Sequence, residues 1–322
     1  MNGIEHPEVF HGLPVLTLPS LDDAGVRALP AAESVAWRLD CGPDGVTFPE
    51  LWQHFLDTVD TAGVRALLIG PWWEDEFSAL APVVEQLASA AGRFTGLRAL
   101  FLADVVGEEC EVSWLDMCDI TPVLEAFPLL EELTVRGGGD SVAEEEKLRL
   151  RPVRHEALKS LRFESGGLPG HVVRAVGTCE LPALERLEFW FGSGWYGGDA
   201  TVEDLRPVLA GGGFPRLRHL GLQNSEIQDE IAAAVASAPV VARLESLALS
   251  MGTLSDTGAV ALLGGQPLTH LTSLDLRHHY LTDPLMERFR ELCGRSGTHL
   301  DLDEADYWDP EDDEPRYVAV SE

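Results

Sequence analysis

Apolar residues in this chain recur in a fixed phrase. Leu217, Leu220 and Leu222 repeat as Leu244, Leu247 and Leu249, and again as Leu271, Leu274 and Leu276, each copy 27 residues after the last. Five and seven residues beyond each third leucine stand an aliphatic and an Asp: Ile227 and Asp229, Leu254 and Asp256, Leu281 and Asp283. Two leucines separated by one residue point to the same face of a strand. One such strand cannot bury that face alone, so each copy needs a copy beside it.

The phrase degrades toward the N-terminus but persists: Leu184-Leu187-Phe189, Leu158-Leu161-Phe163, Leu130-Leu133-Val135, Leu97-Leu100-Leu102 and Val64-Leu67-Ile69. Ser34-Trp37-Leu39 and Leu13-Leu16-Leu18 are marginal, as a capping end would be, and a last strand is expected at Leu300 and Leu302. The connections predict helices. Thr47 to Glu50 reads as a capping box before Leu51–Val59, Phe77, Leu80, Val84 and Leu87 recur at helical spacing, and 202–209 and 231–238 favour helix. Asp283 reads as the N-cap of the last helix, with Pro284 at its first position. The connection from Gly137 to Glu156 lacks an apolar stripe and is expected to be irregular.

With these repeats the chain resembles a bacterial leucine-rich repeat (LRR) protein, and its repeat length and tail are similar to the ribonuclease-inhibitor subclass. The resemblance implies an α/β solenoid (horseshoe), with about eleven parallel strands on the concave face and helices and loops on the convex face. One departure stands out. The family's usual Asn or Cys, three residues after the third leucine, is Ser225, Gly252 and His279 here, which predicts less uniform turns. The expected organisation is one domain over 1–322: an N-terminal cap at 1–33, repeats at 34–297, and a last strand, C-terminal cap and acidic tail at 298–322.

Composition adds limits. Of 322 residues 45% are apolar, ample for a core, and the formal net charge is −31. That charge disfavours nucleic acid as a partner and would steer a basic one. No apolar run is long enough to span a membrane, and the N-terminus lacks the regions of a signal peptide. Five widely spaced cysteines without a Cys-x-x-Cys read as reduced, buried thiols of a cytoplasmic monomer.

Candidate chemistry is sparse. Gly192-Ser-Gly194-Trp-Tyr-Gly197 has the form G-x-G-x-x-G between a strand and a helix, but no acidic residue ends the next strand, where Gln223 and Asn224 stand. P-loop, nucleophile-elbow and zincin motifs are absent. His278-His279 has no companion ligand at metal spacing, and the run from Asp301 has Asp306 where an EF-hand needs Gly. Asp275 and Asp301 read as solvated surface carboxylates. No cofactor is expected.

The strongest functional signal is repeat length. Three intervals are 33 residues, beginning at Val64, Leu97 and Leu184, and their excess carries Trp72, Trp73, Trp114, Trp190, Trp195 and Tyr196 beside Glu74–Glu76, Glu108–Glu111 and Asp199. Insertions at one point of a stacked repeat emerge along one edge. Together with the outward strand residues Phe101, Arg136, Arg162 and Arg277, they form the expected partner-binding set. The function expected is a non-catalytic scaffold binding a protein or peptide by its concave face and an aromatic, acidic rim. The alternatives are an enzyme with its site near Gly192–Gly197, or an acidic inhibitor or decoy of a basic enzyme.

Overall fold

A computed structural model describes residues 4–19, 29–42, 46–73, 78–139, 143, 146–308 and 315–321. Among these described residues twelve strands form one sheet in strict sequence order. β1 (Val9–Phe10) pairs antiparallel with β2 (Leu13–Thr17), and every later neighbour is parallel. The parallel run continues through β3 (Ala36–Leu39), β4 (Ala66–Ile69), β5 (Ala99–Leu102), β6 (Glu132–Arg136), β7 (Ser160–Glu164) and β8 (Arg186–Gly192). It ends with β9 (His219–Ser225), β10 (Ser246–Ala248), β11 (Ser273–Asp275) and β12 (His299–Asp301). The chain is an α/β leucine-rich repeat solenoid.

The register shows why the phrase repeats. Leu16, Trp37, Leu67, Leu100, Leu133, Leu161, Leu187, Leu220, Leu247, Leu274 and Leu300 pair one with the next across the whole parallel sheet. Even the marginal phrases therefore stand in the same row. Strand residues on that face, from Trp37 to Leu276, are buried in one continuous core. The core is closed by α1 (Phe48–Thr58), α2 (Ala81–Ala90), α3 (Thr121–Ala126), α4 (Gly170–Thr178), α5 (Val202–Ala210), α6 (Gln228–Val235), α7 (Asp256–Gly264) and α8 (Asp283–Ser296). Each buries an apolar stripe, such as Leu51 and Phe55 of α1 or Val172, Val173 and Val176 of α4.

The capping box of α1 forms as expected: the Glu50 amide donates to Thr47 Oγ1 (3.4 Å) and the Thr47 amide to Glu50 Oε2 (3.1 Å). Phe77 lies outside the described residues. Between Gly137 and Glu156 no α-helix forms among the described residues. Alternate leucines Leu148 and Leu150 instead drop into the core, and the chain bridges to its neighbours at Asp119–Arg149 and Arg154–Glu180.

Two expectations are corrected. Thr282, not Asp283, is the N-cap of α8, and Asp283 is its first residue. The repeated Asp links repeats instead. Asp256 accepts from the Thr282 amide and hydroxyl (both 2.9 Å), as Asp229 does from the Ser255 amide (2.7 Å) and hydroxyl (2.5 Å). Each carboxylate near a helix start thus holds the entry to the next helix. The turns after the strands are also more uniform than the missing Asn suggested. Asn224, Met251, His278 and Glu304, each two residues past the third repeat leucine, all take positive φ between 55° and 68°. The repeat bends there through the left-handed region without glycine, at about 1 kcal/mol or more for a residue such as Met251.

Candidate functional site

The concave face divides into an apolar end and a charged centre. At the N-terminal end Ala36, Ala66, Leu68, Ala99 and Phe101 point away from the main core and form a second cluster under Phe10. Phe10 reaches them because His11 and Gly12, both at positive φ, make a two-residue hairpin turn between β1 and β2. The hairpin lies on the concave side of the early repeats, and its ring stands 5.9 Å from that of Phe101.

The centre is a row of alternating charges. Arg38 Nε donates to Asp104 Oδ2 (2.9 Å), and Arg38 also meets Asp40 (2.7 Å) and Glu109 (3.4 Å). Arg136 lies 3.5 Å from Asp104 and donates to Glu164 (2.8 Å) and to the Val105 carbonyl (2.6 Å). Arg162 stands 2.9 Å from both Glu164 and Glu188. Glu188 in turn accepts from Arg186 and lies 2.8 Å from His219 Nε2. Asp104, Arg136, Glu164 and Glu188 are buried, so most of this row is spent within the chain. His6, from the N-terminal segment, closes its near end against Asp104 (3.1 Å) and Glu109 (3.3 Å).

Burial pushes the Glu188 carboxyl up. Its bond from His219 and the fields of Arg162 and Arg186 outweigh that, holding it at about 2. A folded-state value below the unfolded value of 4.5 means stability that is present above about pH 4.5 and lost as the pH falls toward 2. The difference corresponds to on the order of 3 kcal/mol. In Glu188→Gln the loss of stability between pH 5 and 2.5, followed by urea midpoint, should be shallower by about that amount. An unchanged slope would show that this carboxylate is not held by its neighbours.

The predicted site residues do not form one row. Trp72 is buried in the main core, donates Nε1–H to the Ser78 carbonyl (2.6 Å), and holds Trp73 edge-on at 5.0 Å. Both border a cleft of about 500 Å³ beside Phe48 and Val83, at the starts of α1 and α2. Phe101 and Arg136 are buried together, the guanidinium 4.9 Å over the ring. Trp190 is buried under Arg162 (5.0 Å) and packs with Val112 and Val320. Trp114 remains exposed, Tyr196 and Arg277 are half-buried, and Trp195 is 88% exposed. Glu74, Asp75 and Glu76 lie outside the described residues.

The Gly192–Gly197 loop is explained by the fold. Gly192 (φ 70°) and Gly197 (φ 84°) sit in the left-handed region, and a Cβ at Gly192 would collide with the Gly166 carbonyl. Its interior is taken by Glu226, whose carboxylate accepts from Ser193 Oγ (2.7 Å) and the Gly194 amide (2.9 Å). A phosphate would have to displace that carboxylate. Among the described residues no three His, Cys, Asp or Glu side chains converge as a metal would need. The five cysteines are buried and none is joined in a disulfide; burial, reinforced by nearby carboxylates, raises the Cys118 thiol to about 12 and that of Cys110 to about 11. Among the described residues no helix is long and apolar enough to cross a membrane.

Comparison with family models gives no match, and none of the curated proteins matches. Among solved structures the chain is similar to a protein from Bacteroides fragilis, with a TM-score of 0.74 and 27% identity over 86% of this chain and 73% of that one. An internalin from Listeria monocytogenes aligns over 77% of this chain and 68% of its own at 15% identity, but with a TM-score of 0.33 it carries no weight. The Bacteroides likeness extends over most of the solenoid.

Sequence reasoning missed Asp104, Glu109 and His6 as partners of the concave arginines. The motif gave no reason to single out a carboxylate two residues past Leu102, and His6 precedes every repeat. Spacing alone did not show that the N-terminal segment returns to the concave side or that the C-terminal one returns to the turns at the strand ends.

Proposed function

We propose that the protein is a cytoplasmic, non-catalytic scaffold that binds a protein or peptide partner, with Trp195 as an anchor. The observation that carries this reading is the setting of that ring. Trp195 stands in a 3-10 turn, Gly194–Tyr196, whose backbone is fixed by Glu226 and Ser193 and by the Gly166–Ser193 contact, yet the indole is almost wholly in solvent. A rigid pedestal holding an unpacked Trp suits an interface hot spot, because little freedom is lost on binding. Exposed Trp114 and the half-buried Tyr196, Arg162 and Arg277 supply the accessible remainder of the set first read from the sequence. The partner would contact the edge where strands give way to helices.

The repeat's alternation of strand and helix supports the ribonuclease-inhibitor-like subclass. The decoy version gains less support, since Asp104, Glu164 and Glu188 of the concave face are already matched by arginines of this chain. The N-terminal cap at 1–33 and the last strand, cap and tail at 298–322 fit the same plan.

The experiment is affinity capture from a lysate of the source organism at low salt, comparing the natural chain with Trp195→Ala. Loss of an anchor of about 2 kcal/mol weakens binding roughly thirtyfold, so the captured partner should be lost while the melting temperature stays within about 1 °C. Equal capture by the variant would remove Trp195 from the interface.

A further inference from the structure

The C-terminal segment 315–321 reaches well beyond the last repeat. It crosses the turns at the ends of several strands, meeting one repeat after another. The Tyr280 hydroxyl accepts from the Tyr317 amide (3.0 Å) and donates to its carbonyl (3.2 Å), and His278 Nε2 lies 3.2 Å from the same oxygen. The Ala319 amide donates to the Met251 carbonyl (2.8 Å). Asn224 then clasps Val320 at both ends: Oδ1 accepts from its amide (2.9 Å) and Nδ2 donates to its carbonyl (2.6 Å). Further along, a side chain at Gly166 would collide with the Ser321 carbonyl.

Asn224, Met251 and His278 are spaced by 27 residues, one per repeat, and all three take positive φ. The left-handed bend recurs after other strands. At these three it also presents a carbonyl or polar side chain to the backbone of the crossing segment. Asn224 is fully buried, and losing the Val320 backbone would leave its Oδ1 unsatisfied and its Nδ2 with only the longer contact to the Ser165 carbonyl (3.4 Å).

These contacts read backbone and so constrain side chains loosely. Four side-chain preferences are still built in. Arg316 pairs with Asp229 (3.3 Å), donates to the Thr253 carbonyl (2.7 Å) and stands 5.2 Å over the Trp308 ring. Val318 is buried, and Val320 fills a small apolar site made by Val112 and Trp190. The Tyr317 ring is exposed on one side but meets His278 (5.5 Å) and Tyr280 (6.1 Å) edge-on, and its hydroxyl donates to Asp306 (2.5 Å), while Ala319 lies on the outer side. The groove therefore fits an extended peptide reading basic, aromatic, apolar, small, apolar.

We infer that the row Asn224–Met251–His278 is a docking groove for an extended partner peptide of that pattern, and that residues 316–320 occupy it in cis until such a peptide competes. This deepens the scaffold reading and rests on it. A chain of net charge −31 would draw a peptide carrying a basic residue, and backbone recognition across successive repeats is what an edge of regularly spaced turns can offer.

The test uses a fluorescent peptide with the sequence of Pro315–Ser321 and a chain ending at Glu314. Polarisation should show saturable binding to the shortened chain, at least tenfold weaker binding to the full chain, and at least tenfold loss with Asn224→Ala. An array varying each position should prefer Arg or Lys first in the five-residue pattern, an aromatic residue second and apolar residues third and fifth. No saturable binding by a shortened chain that melts cooperatively would overturn the proposal. So would binding indifferent to Asn224→Ala, or to residue order in a scrambled peptide. Where the shortened chain does not melt cooperatively, Val320→Asp in the full chain frees the groove, and the same outcomes decide. A peptide failure with Trp195-dependent capture intact sinks the groove alone. The reverse result sinks the scaffold anchor alone.

Discussion

Arg136→Ala is expected to lower stability by about 3 kcal/mol or more, among the largest effects of any single change on the concave face. Its guanidinium lies between the buried carboxylates Asp104 and Glu164 and also holds the Val105 carbonyl. Removing one partner of a buried ionic set typically costs about 3–5 kcal/mol, because the remaining charges stay desolvated. The lower end applies here, since Arg38 still faces Asp104 and Arg162 still faces Glu164. The ring of Phe101 would also lose the cation above it. Arg136→Lys should restore less than half the loss, as one ammonium cannot make the forked contact to carboxylate and carbonyl together. A urea midpoint shifted by an amount worth less than about 1 kcal/mol in Arg136→Ala would show the row to be solvated.

Leu247→Ala is the second large effect, expected at about 2–5 kcal/mol. Leu247 is 1% exposed and stands in the row between Leu220 and Leu274. Truncation removes apolar contact on both sides at once, and the flanking strands are held by their own ladders, so the cavity cannot close well. An unchanged denaturant midpoint would place Leu247 outside the core and break the register that aligns every repeat.

The repeats were legible because one position, the second leucine of the phrase, must be apolar in every copy. Even Trp37, an unusual occupant, keeps the row. The turn after each strand was less legible. The missing Asn was read as a less regular turn, yet the bend recurs through Asn224, Met251 and His278, because backbone conformation there is set by stacking. The tryptophans show the same limit. Repeat length correctly placed Trp72, Trp114 and Trp195 between strand and helix, but length says nothing of which way a ring turns. Trp72 faces the core, Trp190 is covered partly by Val320, and Trp195 faces water. Residues 4–13 cover the early concave strands and residues 315–321 cross the turns at the ends of later ones, each far in sequence from what it covers. No local pattern could announce that pairing.

The measurement that tests the central claim most directly is site-specific photo-crosslinking in living cells of the source organism. A benzophenone side chain is placed at Trp195, on the strand-to-helix edge, or at Val260, an exposed apolar position of α7. A binding edge anchored by Trp195 predicts a discrete crosslinked partner from position 195 and none from position 260. A partner captured equally from both positions, or from 260 alone, would contradict it.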